Sequence, residues 1–551
     1  MIEALRERRN KIRFILVRHE EGAAFSACGY AKFTGQIGVC LSTTGPGGIH
    51  LLNGLYDAHL DHTPVLAITG RTYSDLIGSE YQQDVDLTRP FADVARFNHT
   101  VMNASHAQMA VDLALKSAIL ERDVAHISIP IDVQNQELSK DQESEHKVRG
   151  LTSPNVPPRS VPDKTSLQSA AKLLNEGHKV VLMVGAGALD AGPEVLELAR
   201  KLNAPIVKSL LGKAVVPDDD PNVTGGLGLL GTAPSQDAME EADTLFMIGT
   251  SYPYSEYLPK PGQAAGVQLD VKPENIGIRY PVEIGLVGDS KMTLQQLLPL
   301  VNSRKDDAFQ KRMREKTNDW WNLMQKRGTR NNTPLKPQVV AWTLSDLLAD
   351  NAIICVDSGT ITTWAARYIR TKNGQMFSCS GTLASMANAI SYAVGAQVAY
   401  PDRQVVAFVG DGGFTMLMCE FATATYYKLP IKVIVIKNGS LGMIRWEQIG
   451  FLGNPEYAVN FQNIDFVKFA EATGAKGYRV DTADQVKPVL EEALSVEGPA
   501  LVEAVVDPNE PIYPAKMKFE YVENFAKALA RGQPNRKRIA LTLYRDKIKE
   551  L

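Results

Sequence analysis

"VGDGGFTMLMCEFATATYYKLPIKVIVIKNGS", residues 409–440, is the stretch that decides the fold of this chain. It opens at the end of an apolar run, QVVAFVG, which predicts a buried strand ending at Gly410. A helix-like stretch follows, and a second apolar run, IKVIVIK, ends directly before Asn438. Parallel strands joined through a helix have their carboxyl ends at the same edge of a sheet. We therefore expect Asp411 and Asn438, which are 438 − 411 = 27 residues apart, to face one crevice.

Short apolar runs alternate with helical patterns along the whole chain, which predicts an α/β protein. We expect three doubly wound parallel-sheet domains separated by polar linkers and followed by a tail. The expected boundaries are residues 1–140 for the first domain, 141–164 for a linker, 165–305 for the central domain, 306–335 for a second linker, 336–508 for the third domain and 509–551 for the tail.

Composition and charge exclude several classes of protein. The 551 residues are 44% apolar and 22% charged, which is typical of a globular protein. The 59 basic and 62 acidic residues leave a net charge of −3, so charge gives no reason to expect a nucleic-acid partner. No apolar run approaches the roughly 20 residues that span a bilayer, and the start lacks a signal-peptide core. Five scattered cysteines predict buried thiols in a reducing, cytoplasmic setting.

The residues around Asp411 indicate a site for phosphate and a metal. Backbone N–H groups of a glycine-rich turn can bind phosphate at a helix N-terminus. A free Asp411 carboxylate would repel that phosphate, and a divalent cation between them removes the conflict. Side-chain oxygens of Asp411 and Asn438 and the carbonyl of Ser440 would suit Mg²⁺. Taken alone, these residues leave open a simpler interpretation, since Asp-Gly and Asn-Gly are common turn dipeptides.

Two further segments carry candidate functional residues. FILVRHEEGAAFSACGYAK predicts a strand ending at residues 18–20 and then a helix of small residues. Glu20 begins that helix, where an acid is also stabilised by the helix dipole alone. In SCSGTLASMANAISYAVGAQ, Met386 lies 411 − 386 = 25 residues before Asp411. A methionine in such a stretch is usually part of the core.

Together these segments resemble the thiamin-diphosphate-dependent enzymes. That family carries Gly-Asp-Gly and, after a similar spacing, Asn; it usually reads Asn-Asn where this chain has Lys437-Asn438. The resemblance implies that Glu20 meets the aminopyrimidine ring of the cofactor, in a dry site with a raised pKa. It also implies that Met386 props the cofactor into a bent conformation. The implied thiamin diphosphate and Mg²⁺ contacts are Glu20, Met386, Gly410, Asp411, Gly412, Gly413, Asn438, Ser440, Leu441, Gly442 and Met443.

Within the family, the chain is similar to the pyruvate oxidases and the quinone-linked pyruvate dehydrogenases. The segments that carry this similarity are TGPGGIHLLNGLYDAH, GTSYPY, DSGTITTWAARYI and SMANAI. In LGMIRWEQ, Glu447 matches a substrate-side Glu of some oxidases, and Gln82 fits a polar contact in the active site. The implied activity is oxidative decarboxylation of pyruvate or a similar 2-keto acid, with a quinone or oxygen as electron acceptor.

Two other activities remain open. Acetolactate synthases, which join 2-keto acids, share the architecture but carry a Trp one place further along this helix, turned by roughly 100°. A nucleotide-binding regulatory protein with a dead site is a rival from another class. The retained Glu20, Met386, Asp411 and Asn438 argue against it.

The resemblance assigns a cofactor role to each domain. The first would be the pyrimidine-binding domain, the third the diphosphate- and Mg²⁺-binding domain, and the central one an FAD-type domain. VVLMVGAGALDAG shows a strand and a glycine pattern that alone is weak, and an empty domain or an ADP-containing ligand is the alternative to FAD. The FAD contacts implied by the matching segments are Gly185, Gly187, Ser251, Tyr252, Asp270 and Asp289.

The two ends of the chain carry the remaining expectations. Family members begin with a longer segment, so the resemblance raises the expectation of a truncated start. The family also implies a homodimer or homotetramer, because the Glu-bearing domain of one subunit faces the metal-bearing domain of another. From Lys527 onward there are eight Lys or Arg and two acids, and Leu541, Tyr544, Ile548 and Leu551 share one helical face. This tail would lie on an anionic membrane surface near a quinone, or pack against its own or a neighbouring subunit.

Overall fold

Three separate parallel sheets form the framework of the molecule, and the predicted α/β fold with three parallel-sheet domains is confirmed. The structure, a computed structural model, describes residues 1–138, 159–512, 514–516 and 519–548, and for 545–548 the backbone alone. Most of the predicted linker 141–164 and the last residues of the tail lie outside the described residues.

The first sheet has four strands in the order β1-β2-β4-β3, all parallel. Its elements, in chain order, are α1 Ile2–Glu7, α2 Glu20–Thr34, β1 Gly38–Ser42, α3 Pro46–His50, α4 Leu52–Leu60, β2 Val65–Arg71, β3 Ala95–Thr100, α5 Ala104–Glu121, β4 Val124–Pro130 and α6 Ile131–Gln134.

The second sheet has six parallel strands in the order β10-β9-β8-β5-β6-β7. Its elements are α7 Lys164–Glu176, β5 Val180–Val184, α8 Gly192–Leu202, β6 Ile206–Lys208, β7 Val223–Gly226, α9 Ala233–Glu241, β8 Thr244–Ile248, β9 Ala265–Asp270, β10 Ile284–Val287 and α10 Ser290–Leu297. Short 3₁₀ turns lie at Ala186–Ala191, Ser255–Tyr257, Pro273–Asn275 and Leu298–Leu300, and the long helix α11, Ala308–Gly328, leads to the third domain.

The third sheet has six parallel strands in the order β12-β11-β13-β14-β16-β15. Its strands β13 and β14 are buried along their length because helices cover both faces of the sheet. The elements are α12 Pro337–Leu347, β11 Ile353–Val356, α13 Thr360–Tyr368, β12 Met376–Cys379, α14 Asn388–Ala399, β13 Val405–Gly410, α15 Asp411–Leu417, α16 Cys419–Tyr426, β14 Lys432–Lys437, α17 Gly442–Gly450, α18 Phe466–Ala472, β15 Lys476–Val480, α19 Ala483–Ser495 and β16 Ala500–Val505.

The first and third domains share one hydrophobic core, centred on the crossing of α2 and α14. The two helices meet at glycines: a Cβ on Gly29 would lie 2.6 Å from the Cα of Tyr392, and one on Gly395 would lie 2.2 Å from the carbonyl oxygen of Ser26. α2 begins at Glu20, and α14 begins two residues after Met386, so this contact sets the distance between the two segments that carry these candidate residues. Four of the cysteines are buried, as expected, and the fifth is partly buried: Cys28, Cys40, Cys355, Cys379 and Cys419.

The predicted strand before Glu20 is wrong. Residues 12–17 belong to no strand, and backbone N–H groups at residues 16, 18 and 19 bind side chains of the third domain instead of a neighbouring strand. The N–H of Leu16 donates to the Tyr427 hydroxyl at 2.8 Å, and the N–H groups of Arg18 and His19 both donate to Glu420 at 3.0 Å.

The tail forms two helices, α20 Phe519–Ala530 and α21 Arg536–Ile548. Phe525, Ala528 and Ile539 are buried against Trp446 and Ile449 of α17. Among the residues that the structure describes, no helix is both long enough and apolar enough to cross a membrane.

Candidate active site

The carboxyl edge of the third sheet brings Asp411 and Asn438 together. Strands β13 and β14 are neighbours, and their register pairs Gly410 with Ile436. Asp411 follows β13 as the first residue of α15, and Asn438 follows β14 just before α17. The N-termini of two helices therefore point at the same edge, which favours an anion there.

Asp411 is buried, and its carboxylate is held by backbone donors. One oxygen accepts the N–H of Gly439 at 2.7 Å, and the other accepts the N–H of Gly412 at 3.1 Å. Burial nevertheless raises the pKa of Asp411 to about 6, because these hydrogen bonds and the charge of Lys437 offset only part of the desolvation. The carboxylate thus lacks the positive charge that a bound cation would supply.

Space for such a cation and a phosphate exists beside Asp411. A Cβ added to Gly410 or Gly439 would meet no atom within 4 Å, and Gly439 has a φ of +71°. The Oδ1 of Asn438 accepts the N–H of Ser440 at 2.9 Å. The Ser440 hydroxyl is buried without a hydrogen-bond partner. The site therefore offers three oxygen donors: the Asp411 carboxylate, the Asn438 side-chain oxygen and the Ser440 hydroxyl. Oxygen donors of this kind fit Mg²⁺.

Met386 lies in the turn before α14 and faces this region. Its Cε lies 3.4 Å from the position that a Cβ on Gly412 would occupy. Leu441 and Phe461 approach the same position to 3.3 and 3.2 Å. Three apolar side chains thus pack closely around Gly412. Of these, Phe461 was not predicted, because its surroundings in the sequence carry no periodic signal.

Leu441, Gly442 and Met443 form the entry to α17. A Cβ on Gly442 would lie 3.0 Å from the side-chain Nδ2 of Asn438, so this glycine allows α17 to approach the Asn438 turn. Met443 is partly buried in the first turn of the helix.

Asp357, which follows β11, is a second buried carboxyl group at this edge. A Cβ on Gly413 would lie 2.1 Å from its Oδ2, so only a glycine fits there. Burial raises the pKa of Asp357 to about 7, although the N–H groups of Ser358, Ala387 and Asn388 face the carboxyl and oppose this rise. The strand IICV followed by Asp-Ser-Gly is the signal that could have identified Asp357.

Glu20 begins α2 and lies in a pocket of the first domain. Its Oε2 lies 3.0 Å from the Nδ1 of His50, and a Cβ on Gly47 would lie 3.2 Å from its Oε1. The expected raised pKa is wrong for the single chain. Desolvation does raise the pKa of Glu20, but the hydrogen bond with His50 and the charges of His50 and His19 hold it below its usual value. The side chain is 33% exposed, so the site around it is not dry in a single chain.

Glu420 of the third domain fixes the segment that carries Glu20. It is fully buried, and its Oε1 accepts the two backbone N–H groups of Arg18 and His19. A Cβ on Gly22 would lie 2.6 Å from the same oxygen. Nothing in the sequence relates Glu420 to residue 20, because the contact joins positions about 400 residues apart.

Gln82 is exposed in the segment between β2 and β3. The neighbouring Gln83 holds this segment against the loop after β1, since its carbonyl accepts the Thr44 hydroxyl at 3.2 Å. Gly47, which borders Glu20, follows that loop in α3, and the role of Gln82 as an active-site contact stays a prediction.

Glu447 lines a pocket that three parts of the chain share. Trp446, Glu447 and Phe451 come from α17 and its end, and Leu229 comes from the central domain. The tail contributes Tyr521 and other apolar residues of α20 and the segment before it. The pocket is therefore mostly apolar, with one carboxylate.

The predicted flavin contacts lie at the carboxyl edge of the second sheet, because β5, β8 and β9 are parallel neighbours. Gly185 and Gly187 pack against the loop after β8: their added Cβ atoms would lie 2.5 Å from the Gly249 carbonyl oxygen and 2.8 Å from the Gly249 Cα. Ser251 is exposed, whereas the Tyr252 hydroxyl is buried without a partner.

The two acids predicted at this edge have separate local roles. One oxygen of Asp270 accepts the Lys272 N–H at 2.9 Å and the Asn275 side chain at 3.2 Å, and burial raises its pKa. Asp289 caps α10 by accepting the N–H of Met292 at 2.9 Å. This capping bond gives Asp289 a structural role independent of any ligand.

Profiles of the thiamine pyrophosphate enzymes match the chain in three places. The N-terminal TPP binding domain matches residues 1–89, the central domain matches 167–297, and the C-terminal TPP binding domain matches 357–504.

Individual relatives are similar over nearly the whole chain. YdaP of Bacillus subtilis (strain 168), provisionally named a thiamine pyrophosphate-containing protein, is 41% identical over 96% of this chain and 91% of its own length. The pyruvate oxidase of Lactiplantibacillus plantarum is 30% identical over 94% of this chain and 86% of its own length. The acetolactate synthase large subunit of Corynebacterium glutamicum is 31% identical over 92% of this chain and 82% of its own length.

Proposed function

The chain belongs to the thiamine pyrophosphate enzymes, and we propose that it catalyses oxidative decarboxylation of pyruvate with thiamin diphosphate, Mg²⁺ and FAD. One observation carries this proposal: the Glu447 pocket is lined by the third domain, the tail and Leu229 of the central domain. The domain expected to hold thiamin diphosphate and the domain expected to hold the flavin therefore meet beside Glu447, as electron transfer between the two cofactors would require.

The residues of the third domain would hold the diphosphate and its metal. Asp411 and the oxygens of Asn438 and Ser440 would bind Mg²⁺, which would supply the charge that Asp411 lacks. The open space beside Gly410 and Gly439 would admit the phosphate groups. Thiamin diphosphate supplies the nucleophile and the electron sink for decarboxylation, and FAD supplies a two-electron acceptor.

Glu20 would exchange a proton with the aminopyrimidine ring, with His50 as its hydrogen-bond partner. A partner that covers the pocket would remove water from Glu20 and raise its pKa by desolvation. This is the environment in which a carboxylic acid works as a general acid near neutral pH.

A flavin would bind at the carboxyl edge of the second sheet. The buried, unpaired Tyr252 hydroxyl, the exposed Ser251 and the carboxyl of Asp270 are the polar groups available there. A dinucleotide offers phosphate and ribose oxygens that such groups bind. Gly185 and Gly187 would keep the two loops close enough to form one surface.

The products depend on the acceptors. Pyruvate would lose CO₂, and its remaining two carbons would leave as acetate if water takes the acyl group and a quinone takes the two electrons. Acetyl phosphate would form instead if phosphate takes the acyl group and oxygen takes the electrons.

We further propose a homodimer as the smallest active unit, with a homotetramer as the larger assembly. Glu20 finds its partners in its own domain, whereas Asp411 finds its partners in the third domain. Apolar side chains near both are exposed in the single chain: Leu16, Met416 and Tyr426. A second copy of the chain would cover them and complete the site.

The tail would bring the enzyme to an anionic membrane surface on its cytoplasmic side. Leu541 and Tyr544 of the predicted apolar face are exposed, while Ile539 on another side of α21 is buried against α17. The helix can thus stay docked on the enzyme while it presents Leu541 and Tyr544 outward. The predicted positions Ile548 and Leu551 lie outside the described side chains.

Anaerobic addition of pyruvate to protein loaded with thiamin diphosphate, Mg²⁺ and FAD tests the reaction. We expect the visible absorption band of the flavin to bleach in a single turnover, with release of CO₂. Formation of acetolactate with an unchanged flavin spectrum would contradict the oxidative reaction and indicate carboligation.

A further inference from the structure

The loop that carries Met386, residues 380–387, has a strained backbone. Ala384 has a φ of +55° and Ala387 a φ of +72°, so two alanines adopt the left-handed conformation on either side of Ser385 and Met386. Each such residue costs on the order of 1 kcal/mol or more, and it persists only where its surroundings enforce it. The loop therefore needs external contacts to keep this shape.

Asp61 of the first domain holds the start of the loop. Its two carboxylate oxygens accept the N–H groups of Gly381 and Thr382, both at 2.8 Å. Lys32 donates to Asp61 at 2.7 Å and to the carbonyl of Cys379 at 2.9 Å. The Asp61 and Lys32 side chains are 1% and 7% exposed, so these contacts are shielded from water.

Asn53 holds the middle of the loop. Its Nδ2 donates to the Ser385 hydroxyl at 3.0 Å and to the Glu21 carboxylate at 2.6 Å. Ser385 in turn donates to the carbonyl of Met386 at 3.0 Å. The end of the loop faces the buried carboxyl of Asp357, so the loop is held along its whole length.

We propose that Asp61 and Asn53 are positioning residues that act through Met386. By forcing the loop into its strained shape, they would hold the Met386 side chain above Gly412, where it shapes the bound thiamin cofactor. The inference rests on the cofactor of the proposed function and not on the fate of the substrate. It adds two residues of the first domain, which contact the backbone and the Ser385 hydroxyl of the Met386 loop, to the set that controls the reaction.

The test measures exchange of the cofactor's C2 proton in D₂O, at saturating thiamin diphosphate and Mg²⁺ and without substrate. Because no substrate is present, the result is independent of whether the enzyme is an oxidase. We expect Asn53→Ala and Asp61→Ala to slow exchange about tenfold or more while the cofactor stays bound, since a displacement of about 1 Å costs on the order of 100-fold.

A double-mutant cycle with Met386→Ala separates positioning from general damage. If Asn53 acts through Met386, adding Asn53→Ala to Met386→Ala should slow exchange by less than about threefold. Asp243→Ala is the matched control, because the Asp243 carboxylate also accepts the N–H groups of two consecutive residues, His178 and Lys179, but in the central domain, where β5 and β8 begin. It should leave exchange at the parent rate.

Two results would overturn the inference. One is exchange within threefold of the parent rate in both single variants at full cofactor occupancy. The other is a loss from Asn53→Ala that is as large in the Met386→Ala background as in the parent. Asn53→Ala keeps the inference testable if Asp61→Ala does not fold, because it removes only a partly buried amide.

Discussion

The free energy of unfolding of the metal-free protein should depend on pH through Asp411, and this dependence should be absent from the Asp411→Asn variant. Burial raises its pKa from an ordinary value of 3.8 to about 6, which corresponds to about 3 kcal/mol at 1.36 kcal/mol per pH unit. The folded chain then binds this proton more tightly than the unfolded chain does. Stability from this group is therefore greatest below about pH 4, falls as the pH rises towards about 6, and stays low above that.

Asp411→Asn removes the titration and keeps the size of the side chain. We expect the parent to lose roughly 1.5 kcal/mol relative to Asp411→Asn between pH 5 and 7.5 when EDTA is present and no cofactor is added. Unfolding in denaturant can be followed by tryptophan fluorescence, because all five tryptophans lie between residues 320 and 446, in α11 and the third domain.

Mg²⁺ with thiamin diphosphate should abolish this pH dependence in the parent, because the cation favours the ionised carboxylate. The exposed Asp402 provides a control, and Asp402→Asn should follow the parent at every pH. If the free energy of unfolding of the parent and of Asp411→Asn changed equally with pH in EDTA, the reasoning would be refuted. The pKa of Asp411 would then be the same in the folded and the unfolded chain.

Three further predictions concern catalysis, assembly and the tail. Glu20→Gln should still bind thiamin diphosphate but turn over about 10²–10⁴-fold more slowly; near-normal turnover in steady-state assays would exclude Glu20 as the proton carrier. Mixing and refolding inactive Glu20→Gln with inactive Asp411→Ala should restore activity, because a hybrid dimer has one intact site; no recovery in verified hybrids would show that sites are not shared. Deleting residues 536–551 should abolish flotation with anionic vesicles and spare activity with a soluble acceptor; an intact protein that never floats would contradict the membrane contact.

The sequence was sufficient to predict which candidate residues lie close together where they follow neighbouring strands of a parallel sheet. Two apolar runs of strand length, with a helix between them, fix where β13 and β14 end. The proximity of Asp411 and Asn438 follows from that topology and from no other information. Gly185, Tyr252 and Asp270 were expected from the family resemblance, and the structure places them at one edge of the second sheet.

Contacts between distant segments could not be predicted in this way. The apolar run before Glu20 reads as a strand, yet its backbone binds Tyr427 and Glu420, which lie some 400 residues further on. The strand IICV marks the position of Asp357, but the sequence does not show that its carboxyl is buried against Gly413, which follows the end of another strand. Asp289 fits a ligand contact in sequence, but its carboxylate caps a helix.

The crossing of α2 and α14 limits how the chain can be recombined. Because glycines at the contact leave no room for a side chain, and because one core serves both domains, each half is fitted to the other. A chimera that takes its first domain from a relative must therefore also take α14, and the loop with Met386 before it. The unit that can be exchanged between relatives therefore consists of α2, α14 and the segments that precede them. Its boundaries do not coincide with those of the domains.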